Sequence, residues 1–443
     1  MMRKYEKYKD SGVEWIGEIP EHWEIQRLKY NALIILGKML MSNPPKGEEF
    51  KYTLEKYLKS KNIGWLQVFN GSKDVDEMWF NDLEKKLYKL EVGDIVMNEG
   101  GDIGKVSLWP NSDFDCYIQN SVHRITSPKN VDIKYLAYFL YATSKRGYFW
   151  SIVSQISIAH LTKEKLSNTP TVIPSLPEQE SIASYLDSKV GEIDNMIEKT
   201  EKKIKLYEEL KKSIITRAVT KGLNPNAKMK DSGVEWIGEV PEHWEAMKVT
   251  WIYQLIGSGT TPKTDKEYYY CENGEYWLQT GDLNDGIIRN TSKQITKECV
   301  KELNFKIYPK GSLVVAMYGA TIGKVGLLNI ETTTNQACCV MTTSKVLDNK
   351  YLFYWLQAFK NEIIQLSSGG GQPNINQEKV ASLKISAPLV EDQVTIVNFL
   401  DHETAKIDSL ISKQEKLIEL LKVFLFLPRQ TPCIPSFCIN RLI

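Results

Sequence analysis

The sequence predicts an α+β fold in which two similar mixed α/β domains are separated by two long antiparallel coiled-coil helices, with pseudo-twofold symmetry. Three observations support this prediction. The chain contains an internal duplication, each copy contains short strand-like runs broken by Gly, Asn and Pro, and each copy is followed by a long segment with apolar residues at heptad spacing.

The duplication is clearest near the amino terminus. Residues 10–24 recur as residues 231–245 with one change, Ile19 to Val240. Shorter matches follow in the same order: Trp65-Leu66-Gln67 with Trp277-Leu278-Gln279, Ile103-Gly104-Lys105-Val106 with Ile322-Gly323-Lys324-Val325, and Lys134-Tyr135-Leu136 with Lys350-Tyr351-Leu352. The stretches between these matches differ, which indicates one scaffold carrying two different sets of loops.

Each copy begins with a globular part. Alternating apolar runs such as Ile95-Val96-Met97 and Leu313-Val314-Val315 predict short strands, and the Gly, Asn and Pro residues between them predict turns. The repeated tryptophans are expected to be core and framework residues; they are Trp15, Trp23 and Trp65 in the first copy and Trp236, Trp244 and Trp277 in the second.

A long helix is predicted after each globule. The first begins at Pro177, a residue that suits the first helical position, and ends at Gly222, which suits a carboxyl-terminal cap. Acidic and basic residues balance along it, so we interpret it as a spacer that holds the globules apart and packs against a partner, although a plain helical connection is the alternative. The predicted partner and coiled-coil residues are Leu186, Val190, Ile193, Ile197 and Ile204 in the first helix, and Ile407, Ile411, Ile418 and Leu421 in the second.

These patterns divide the chain into five segments. They are residues 1–177, the first globule; 178–222, the central helix; 223–391, the second globule; 392–427, the carboxyl-terminal helix; and 428–443, a tail. The tail departs from the first copy, because residues 423–443 contain no Asp, Glu or Lys. We interpret it as the product of a reading-frame shift, with a lineage-specific tail as the alternative.

Composition limits the class of protein. The chain has 443 residues, 42% hydrophobic and 25% charged, with a net charge of +1, as in an ordinary globular protein. Its first residues contain no apolar leader, and no run reaches the ~20 apolar residues of a membrane span. We therefore expect a cytoplasmic protein without a membrane partner. Its seven cysteines show no paired spacing, so free thiols and no metal are expected.

These residues resemble a known family. The tandem Gly-Val-Glu-Trp-Ile-Gly-Glu-(Ile/Val)-Pro-Glu-His-Trp motif, the helix starts at Pro177-Glu178-Gln179-Glu180 and Glu391-Asp392-Gln393, and the helix end at Thr216-Arg-Ala-Val-Thr-Lys-Gly222 closely resemble the specificity subunits of type I restriction-modification enzymes. The resemblance covers nearly the whole chain. It implies two target-recognition domains on helical spacers that bind a bipartite double-stranded DNA site.

The same resemblance implies partners and cofactors. Two modification subunits methylate adenine with S-adenosylmethionine, and restriction subunits use ATP and Mg²⁺. The specificity subunit itself has no catalytic residues and binds none of these cofactors. The two globules resemble different recognition-domain types, since Glu99-Gly-Gly-Asp-Ile-Gly104 occurs only in the first and Gly369-Gly-Gly-Gln-Pro-Asn374 only in the second. Two types imply an asymmetric site.

Polar side chains in the loops are the candidates for DNA contact. Amide and guanidinium groups read base edges, while lysines contact phosphates. The first-globule candidates are Lys38, Lys105, Gln119, Asn120, His123 and Arg124. The second-globule candidates are Thr260, Thr261, Lys263, Lys324, Asn335, Gln336, Gln372 and Asn374. For any single residue, a turn cap or a polar strand surface is an equally good interpretation.

Catalytic interpretations are less favourable. Asn43-Pro44-Pro45 is followed by Lys46 rather than by the aromatic residue of an adenine methyltransferase, and Gly319–Lys324 fits a hairpin turn better than a phosphate loop. Glu84-Lys-Lys86 fits a solvated helix face, and His22 and His243 fit hydrogen-bonded structural positions. The alternative of another class is a two-module scaffold that binds proteins and not DNA.

Overall fold

The computed structural model describes residues 5–66, 75–110, 112–128, 130–153, 159–263, 266–366 and 374–426. The chain forms two compact units. Unit 1 contains Met1–Glu198 and Glu419–Ile443, and unit 2 contains Lys199–Ile418. Each unit therefore combines one globule with parts of both long helices. The predicted tail, residues 428–443, lies outside the described residues.

The first globule is built mainly from short strands. They are β1 (Tyr8–Asp10), β2 (Glu18–Pro20), β3 (Glu24–Arg27), β4 (Leu33–Leu36), β5 (Tyr52–Leu58), β6 (Asp76–Asn81), β7 (Ile95–Asn98), β8 (Val106–Leu108), β9 (Tyr117–Ile118), β10 (Val122–Thr126) and β11 (Pro170–Ile173). Its helices are α1 (Asp82–Tyr88), α2 (Ile133–Lys145), α3 (Tyr148–Ile152) and α4 (Lys163–Ser167), and the long helix α5 (Leu176–Lys221) follows.

The second globule repeats this order. Its strands are β12 (Met229–Asp231), β13 (Glu239–Pro241), β14 (Glu245–Lys248), β15 (Ile256–Ser258), β16 (Tyr270–Cys271), β17 (Glu275–Leu278), β18 (Gly286–Ile288), β19 (Gln294–Ile295), β20 (Leu313–Ala316), β21 (Val325–Leu328), β22 (Thr333–Thr334), β23 (Cys338–Met341) and β24 (Lys384–Ala387). Its helices are α6 (Val249–Ile252), α7 (Lys297–Glu302), α8 (Asn349–Ala358), α9 (Lys360–Gln365) and α10 (Gln377–Ser382), and the long helix α11 (Val390–Phe426) follows.

Equivalent sheets form in both globules. The order β4-β10-β7-β8 in the first corresponds to β15-β23-β20-β21 in the second, where β18 adds a fifth strand. A parallel pair also recurs, because Leu58 pairs with Ile118 and Leu278 pairs with Thr334. The mixed α+β architecture predicted from the duplication is confirmed.

One predicted equivalence is wrong. The Trp-Leu-Gln match makes Leu66 the equivalent of Leu278 in the other copy. The strand pairing instead makes Leu58 the equivalent of Leu278. Trp65 instead lies beyond the strand, with the Nζ of Lys145 3.4 Å from its ring centre. The match misleads because three shared letters do not specify which residue pairs with a strand far away in the chain.

Apart from Trp65, the repeated tryptophans belong to the framework, as predicted. Trp23, Trp244 and Trp277 are almost fully buried. Trp236 packs edge-to-face on Trp355 at a ring-centre distance of 5.4 Å. Burial of these rings explains why the duplicated opening motif holds the same local structure in both copies.

Both long helices are present. α5 has 46 residues and α11 has 37 residues. α5 begins one residue before Pro177 and ends before Gly222, whose φ of +70° is the left-handed cap conformation that favours glycine. Both helices begin within two residues of the predicted positions, because the proline and the acidic residues of the first turns favour a helix start there.

The heptad positions are the less exposed positions of these helices. Ile407 is buried, and the other predicted seam residues, Leu186, Val190, Ile193, Ile197, Ile204, Ile411, Ile418 and Leu421, are half-buried. Within unit 2 the Nζ of Lys211 lies 2.6 Å from the carboxylate of Asp408. Ile215 and Val219 of α5 share a core with Ile396 and Leu400 of α11. The residue numbers rise in one helix as they fall in the other, so these segments run antiparallel.

Candidate nucleic-acid interface

Both globules present a loop edge built on the same backbone hydrogen bonds. After β4, the N–H of Lys38 donates to the carbonyl of Ile118 at 3.0 Å, and after β15 the N–H of Thr260 donates to the carbonyl of Thr334 at 2.9 Å. A Cβ on Gly259 would lie 1.6 Å from the carbonyl oxygen of Thr334, so glycine is required for this close approach.

A second shared set of bonds defines the turn after the central strand. The N–H of Glu99 donates to Ser121 O at 2.9 Å, and that of Met317 donates to Ala337 O at 2.8 Å. The carbonyls of the same two residues accept bonds from Leu161 at 2.7 Å and from Ile375 at 2.9 Å. Glu99 and Met317 therefore occupy equivalent positions on equivalent backbones.

The first edge is rich in polar groups. An Oε2 of Glu99 lies 3.5 Å from the Nδ1 of His160, and these side chains are 14% and 49% exposed. Burial raises the pKa of Glu99, and the nearby imidazole of His160 opposes that rise. The Oε1 of Gln119 accepts bonds from Ser121, and its amide donates to Asn120. The side-chain amide of Gln119 is therefore paired with neighbours on both sides, and the Oδ1 of Asn120 is paired with Gln119.

The second edge combines four of its candidates. Thr260, Thr261, Gln336 and Asn374 are exposed. The hydroxyl of Thr261 donates to the amide of Gln336, and Asn374 forms a bridge with Tyr318. Asn335 is half-buried and uses its Oδ1 to accept a bond from Ala337 at 3.2 Å. The arrangement offers donors and acceptors at one end of the sheet.

Two further candidates were predicted in the second globule, Lys263 and Gln372. Lys263 is exposed beyond this loop. Gln372 lies outside the described residues, so its position stays a prediction.

The repeated lysines follow a hairpin turn in both copies. The predicted hairpin at Gly319–Lys324 is present, because β20 and β21 pair antiparallel on either side of it. Lys105 lies 2.5 Å from Asp102, whereas Lys324 is half-exposed and has no ion pair recorded within the described ranges. The two lysines occupy the same place although the loops around them differ.

The structure contradicts the assignment of His123 to DNA contact. His123 is 0% exposed, and its Nε2 lies 2.7 Å from the carbonyl of Leu161. Burial lowers its pKa to about 4. The residue lies on β10, which pairs with β4 along one edge and with β7 along the other. A base edge cannot reach it in this conformation.

Lys38 and Arg124 are also structural. Lys38 is 6% exposed and donates to Glu84 at 2.5 Å and to the carbonyl of Trp79 at 2.7 Å. Arg124 donates to the carbonyl of Lys89 and lies 3.8 Å from Asp94. Their charges are neutralised inside the first globule, which leaves neither free to hold a phosphate. Glu84 consequently is not the simple solvated helix residue that the sequence predicted.

Sequence reasoning missed a polar network at the start of α5. The carboxylate of Glu178 accepts bonds from Tyr5 at 3.1 Å, from His22 at 2.9 Å and from Trp23 at 3.2 Å. Burial of Glu178 raises its pKa, but the hydrogen bonds from Ser175, His22 and Trp23 outweigh it and lower the pKa to about 2. The prediction that His22 has a hydrogen-bonded structural role is confirmed.

A repeated anchor joins each long helix to its own globule. The carboxylate of Asp187 in α5 accepts bonds from Lys134 at 2.6 Å and from Tyr138 at 2.8 Å. In the second copy Asp401 pairs with Lys350 and accepts a bond from Tyr354 at 2.7 Å. The Leu-Asp ending that both copies share in the first turns of the helix was the available signal.

Metal clusters and membrane-spanning helices are both absent from the described ranges. No group of three or more His, Cys, Asp or Glu side chains is placed to hold a metal ion there. None of the helices in that part of the chain combines the length and apolar character needed to cross a bilayer.

Comparison with known families matches this duplicated architecture. The model of the type I restriction modification DNA specificity domain matches residues 53–207 and again residues 241–420. Two Methanocaldococcus jannaschii proteins, named as the specificity subunits of the type I restriction enzymes MjaX and MjaVIII, are each 26% identical to this chain. The matches cover 92% and 91% of this chain and the same shares of the relatives.

A solved structure shares the fold. A chain from a structural study of complex assembly and conformational transition in a type I R-M system superposes with a TM-score of 0.67 at 16% sequence identity. The superposition covers 92% of this chain and 96% of that chain.

Proposed function

This chain belongs to the type I restriction modification DNA specificity family, and we propose that it is the DNA-recognition subunit of a type I restriction-modification system. Each globule reads one block of a bipartite double-stranded DNA site. The observation that carries the proposal is the pair of loop edges, which share a backbone frame and differ in the side chains placed on it.

The shared backbone frame and the differing side chains have different roles in DNA binding. Sequence is read by hydrogen bonds to base edges, and such contacts must differ between two blocks of different sequence. Contacts to the phosphate backbone are the same for any sequence. The differing residues Asn120, Thr261, Gln336 and Asn374 are suited to base contact, and the repeated Lys105 and Lys324 are suited to phosphate contact. Because the two edges differ, the site is asymmetric.

The long helices are proposed to dock the catalytic partners. Two modification subunits would bind them and methylate adenine with S-adenosylmethionine, while restriction subunits would use ATP and Mg²⁺ for cleavage. The chain itself would supply recognition and no catalytic group. The half-buried heptad positions of α5 and α11 support a packing role for these helices.

Methylation mapping tests this proposal. The full chain, expressed with its modification subunits in a host that lacks other adenine methyltransferases, should produce one methylated motif with two blocks and an unspecified gap. Purified chain should bind DNA with an affinity that falls steeply as salt rises. Absence of both a methylated motif and salt-dependent DNA binding would favour the two-module protein-binding scaffold.

A further inference from the structure

The first globule keeps polar side chains at two positions where the second is apolar. Asn98 is equivalent to Ala316, because their N–H groups donate to the carbonyls of Lys105 and Lys324, each at 2.8 Å. Glu99 is equivalent to Met317, because their N–H groups donate to the carbonyls of Ser121 at 2.9 Å and Ala337 at 2.8 Å. Ala316 and Met317 are buried in apolar cores. The scaffold therefore folds without polar groups here.

Polar groups at these positions disfavour folding. Asn98 is 1% exposed, and its side-chain amide donates to the carbonyl of Ser60 at 3.1 Å, while its Oδ1 has no hydrogen-bond partner among the described residues. The carboxylate of Glu99 is 14% exposed and has the ring of His160 as its recorded polar neighbour. A buried acceptor without a partner and a carboxylate shielded from water both cost free energy. Since Met317 shows that the fold does not need a carboxylate at the position of Glu99, a ligand is the better reason for the presence of Glu99.

The chemistry of Glu99 restricts that ligand. An ionised carboxylate only accepts hydrogen bonds, and it is repelled by phosphates. On DNA it can therefore bind the exocyclic amino group of a base. Glu99 lies beside exposed Gly101, Asp102 and His160, so the edge is open to the solvent next to it.

Resting on the proposed DNA-recognition function, we propose that Glu99 reads a cytosine in the block recognised by the first globule. Its carboxylate accepts a hydrogen bond from the N4 amino group in the major groove, and His160 is a positioning residue that orients the carboxylate. Adenine also has an amino group, but its N7 acceptor lies next to that group and would face the second carboxylate oxygen. Cytosine has no such acceptor beside N4, so it is the better match.

The decisive variant is Glu99→Gln. Glutamine has the same shape, but it both donates and accepts, and this pattern matches the N6 and N7 of adenine. We expect one position of one block to change from cytosine toward adenine. Binding of the full chain to the original site should weaken by about 10- to 100-fold, the range of one good base contact. The second block should be unchanged.

The experiment uses the full chain assembled with its modification subunits. Methylated motifs are mapped for wild type, Glu99→Gln, Glu99→Ala and His160→Ala, with Glu91→Gln as the matched control. Glu91 is an exposed carboxylate near the opposite end of β7 from Glu99. Thermal unfolding of each purified chain excludes misfolding, and His160→Ala should lower discrimination at the same base and at no other.

The outcomes separate the inference from the proposed function. A wild-type chain with no bipartite motif would overturn both. A wild-type motif that Glu99→Gln and Glu99→Ala leave unchanged would overturn the role of Glu99 alone. If the variants lose discrimination at an adenine of the motif and not at a cytosine, the cytosine assignment would be overturned. If their DNA affinity falls equally on every sequence, Glu99 supports the fold and does not read a base. A change at one cytosine, absent from Glu91→Gln, would support the inference.

Discussion

The side chain of Gln393 accepts a hydrogen bond from the backbone N–H of Asp348 at 2.7 Å. Gln393 is fully buried and also donates to the carbonyls of Pro388 at 2.8 Å and Val346 at 3.0 Å. Gln179 makes the equivalent bonds in the first copy, to Asp132 at 2.9 Å and Pro174 at 2.8 Å. In each copy, the side-chain amide of this glutamine thus hydrogen-bonds the first turn of the long helix to the loop before α2 or α8.

Replacement of Gln393 by leucine should destabilise unit 2. The change keeps the side chain's approximate size but leaves buried backbone groups unpaired, so the free energy of unfolding should fall by about 2 kcal/mol or more. Urea unfolding of the full chain measures this change. Glu391→Gln, an exposed neighbour, should change it by less than about 0.5 kcal/mol. Equal stability of the two variants would contradict the anchoring role.

Exchange of residues 24–176 for another recognition domain of the family should change one block of the methylated motif. The other block should remain, because the second globule has its own cores and its own loop edge. Exchange of residues 245–390 should have the reciprocal effect. Simultaneous change of both blocks in either chimera would contradict independent reading.

Replacement of Ile197 by proline should kink α5. Ile197 lies within the 46-residue helix, where proline removes a backbone donor and clashes with the preceding turn, at a cost of about 3 kcal/mol. Methylation by the assembled complex should fall. Ile197→Ala keeps the helical bonds and serves as the control, so a complex with Ile197→Pro as active as the one with Ile197→Ala would argue against a spacer role.

Lys324→Gln should weaken DNA binding equally on all sequences. Loss of one phosphate contact lowers the slope of log affinity against log salt by about one. Lys105→Gln should lower it less, because Asp102 already lies 2.5 Å from the Lys105 Nζ. Anisotropy titrations of the chain on unrelated duplexes at several salt concentrations measure the slope. Lys413→Gln on α11 is the control, and a sequence-dependent loss would show that Lys324 reads bases.

Acid should weaken unit 1 through Glu178. Its pKa is about 2 in the folded chain against an ordinary 4.5, so its contribution is present above pH 4.5 and is lost as the pH falls toward 2. The fluorescence of the 11 tryptophans of the full chain can follow urea unfolding at several pH values. Trp23, whose indole donates to Glu178 at 3.2 Å, contributes to this signal. Glu178→Gln should flatten the pH dependence in this window, and Glu180→Gln should not.

Part of the candidate site was accessible from sequence because it repeats. The sequence indicates the lysine of the Ile-Gly-Lys-Val turn and the Gln and Asn residues of the following loop as candidates, and the structure places them at the loop edge of each globule. The sequence gives no signal for a role of Glu99 beyond its place in the Glu99–Gly104 motif. Counting back from Ile103 and Ile322 pairs it with Tyr318, whereas the backbone bonds pair it with Met317, because the second turn is one residue longer.

The sequence by itself determined the duplication, the alternation of a globule with a long helix, and the positions of the long helices, since these depend on local periodicity and capping residues. Tertiary structure alone decided which polar residues are available. His123, Arg124 and Lys38 are residue types that commonly bind DNA. In the fold, His123 and Arg124 lie on a strand paired with β7, Arg124 lies near Asp94, and Lys38 pairs with Glu84, so all three lie inside the globule. Contacts of that kind join residues far apart in the chain, and no local pattern specifies them.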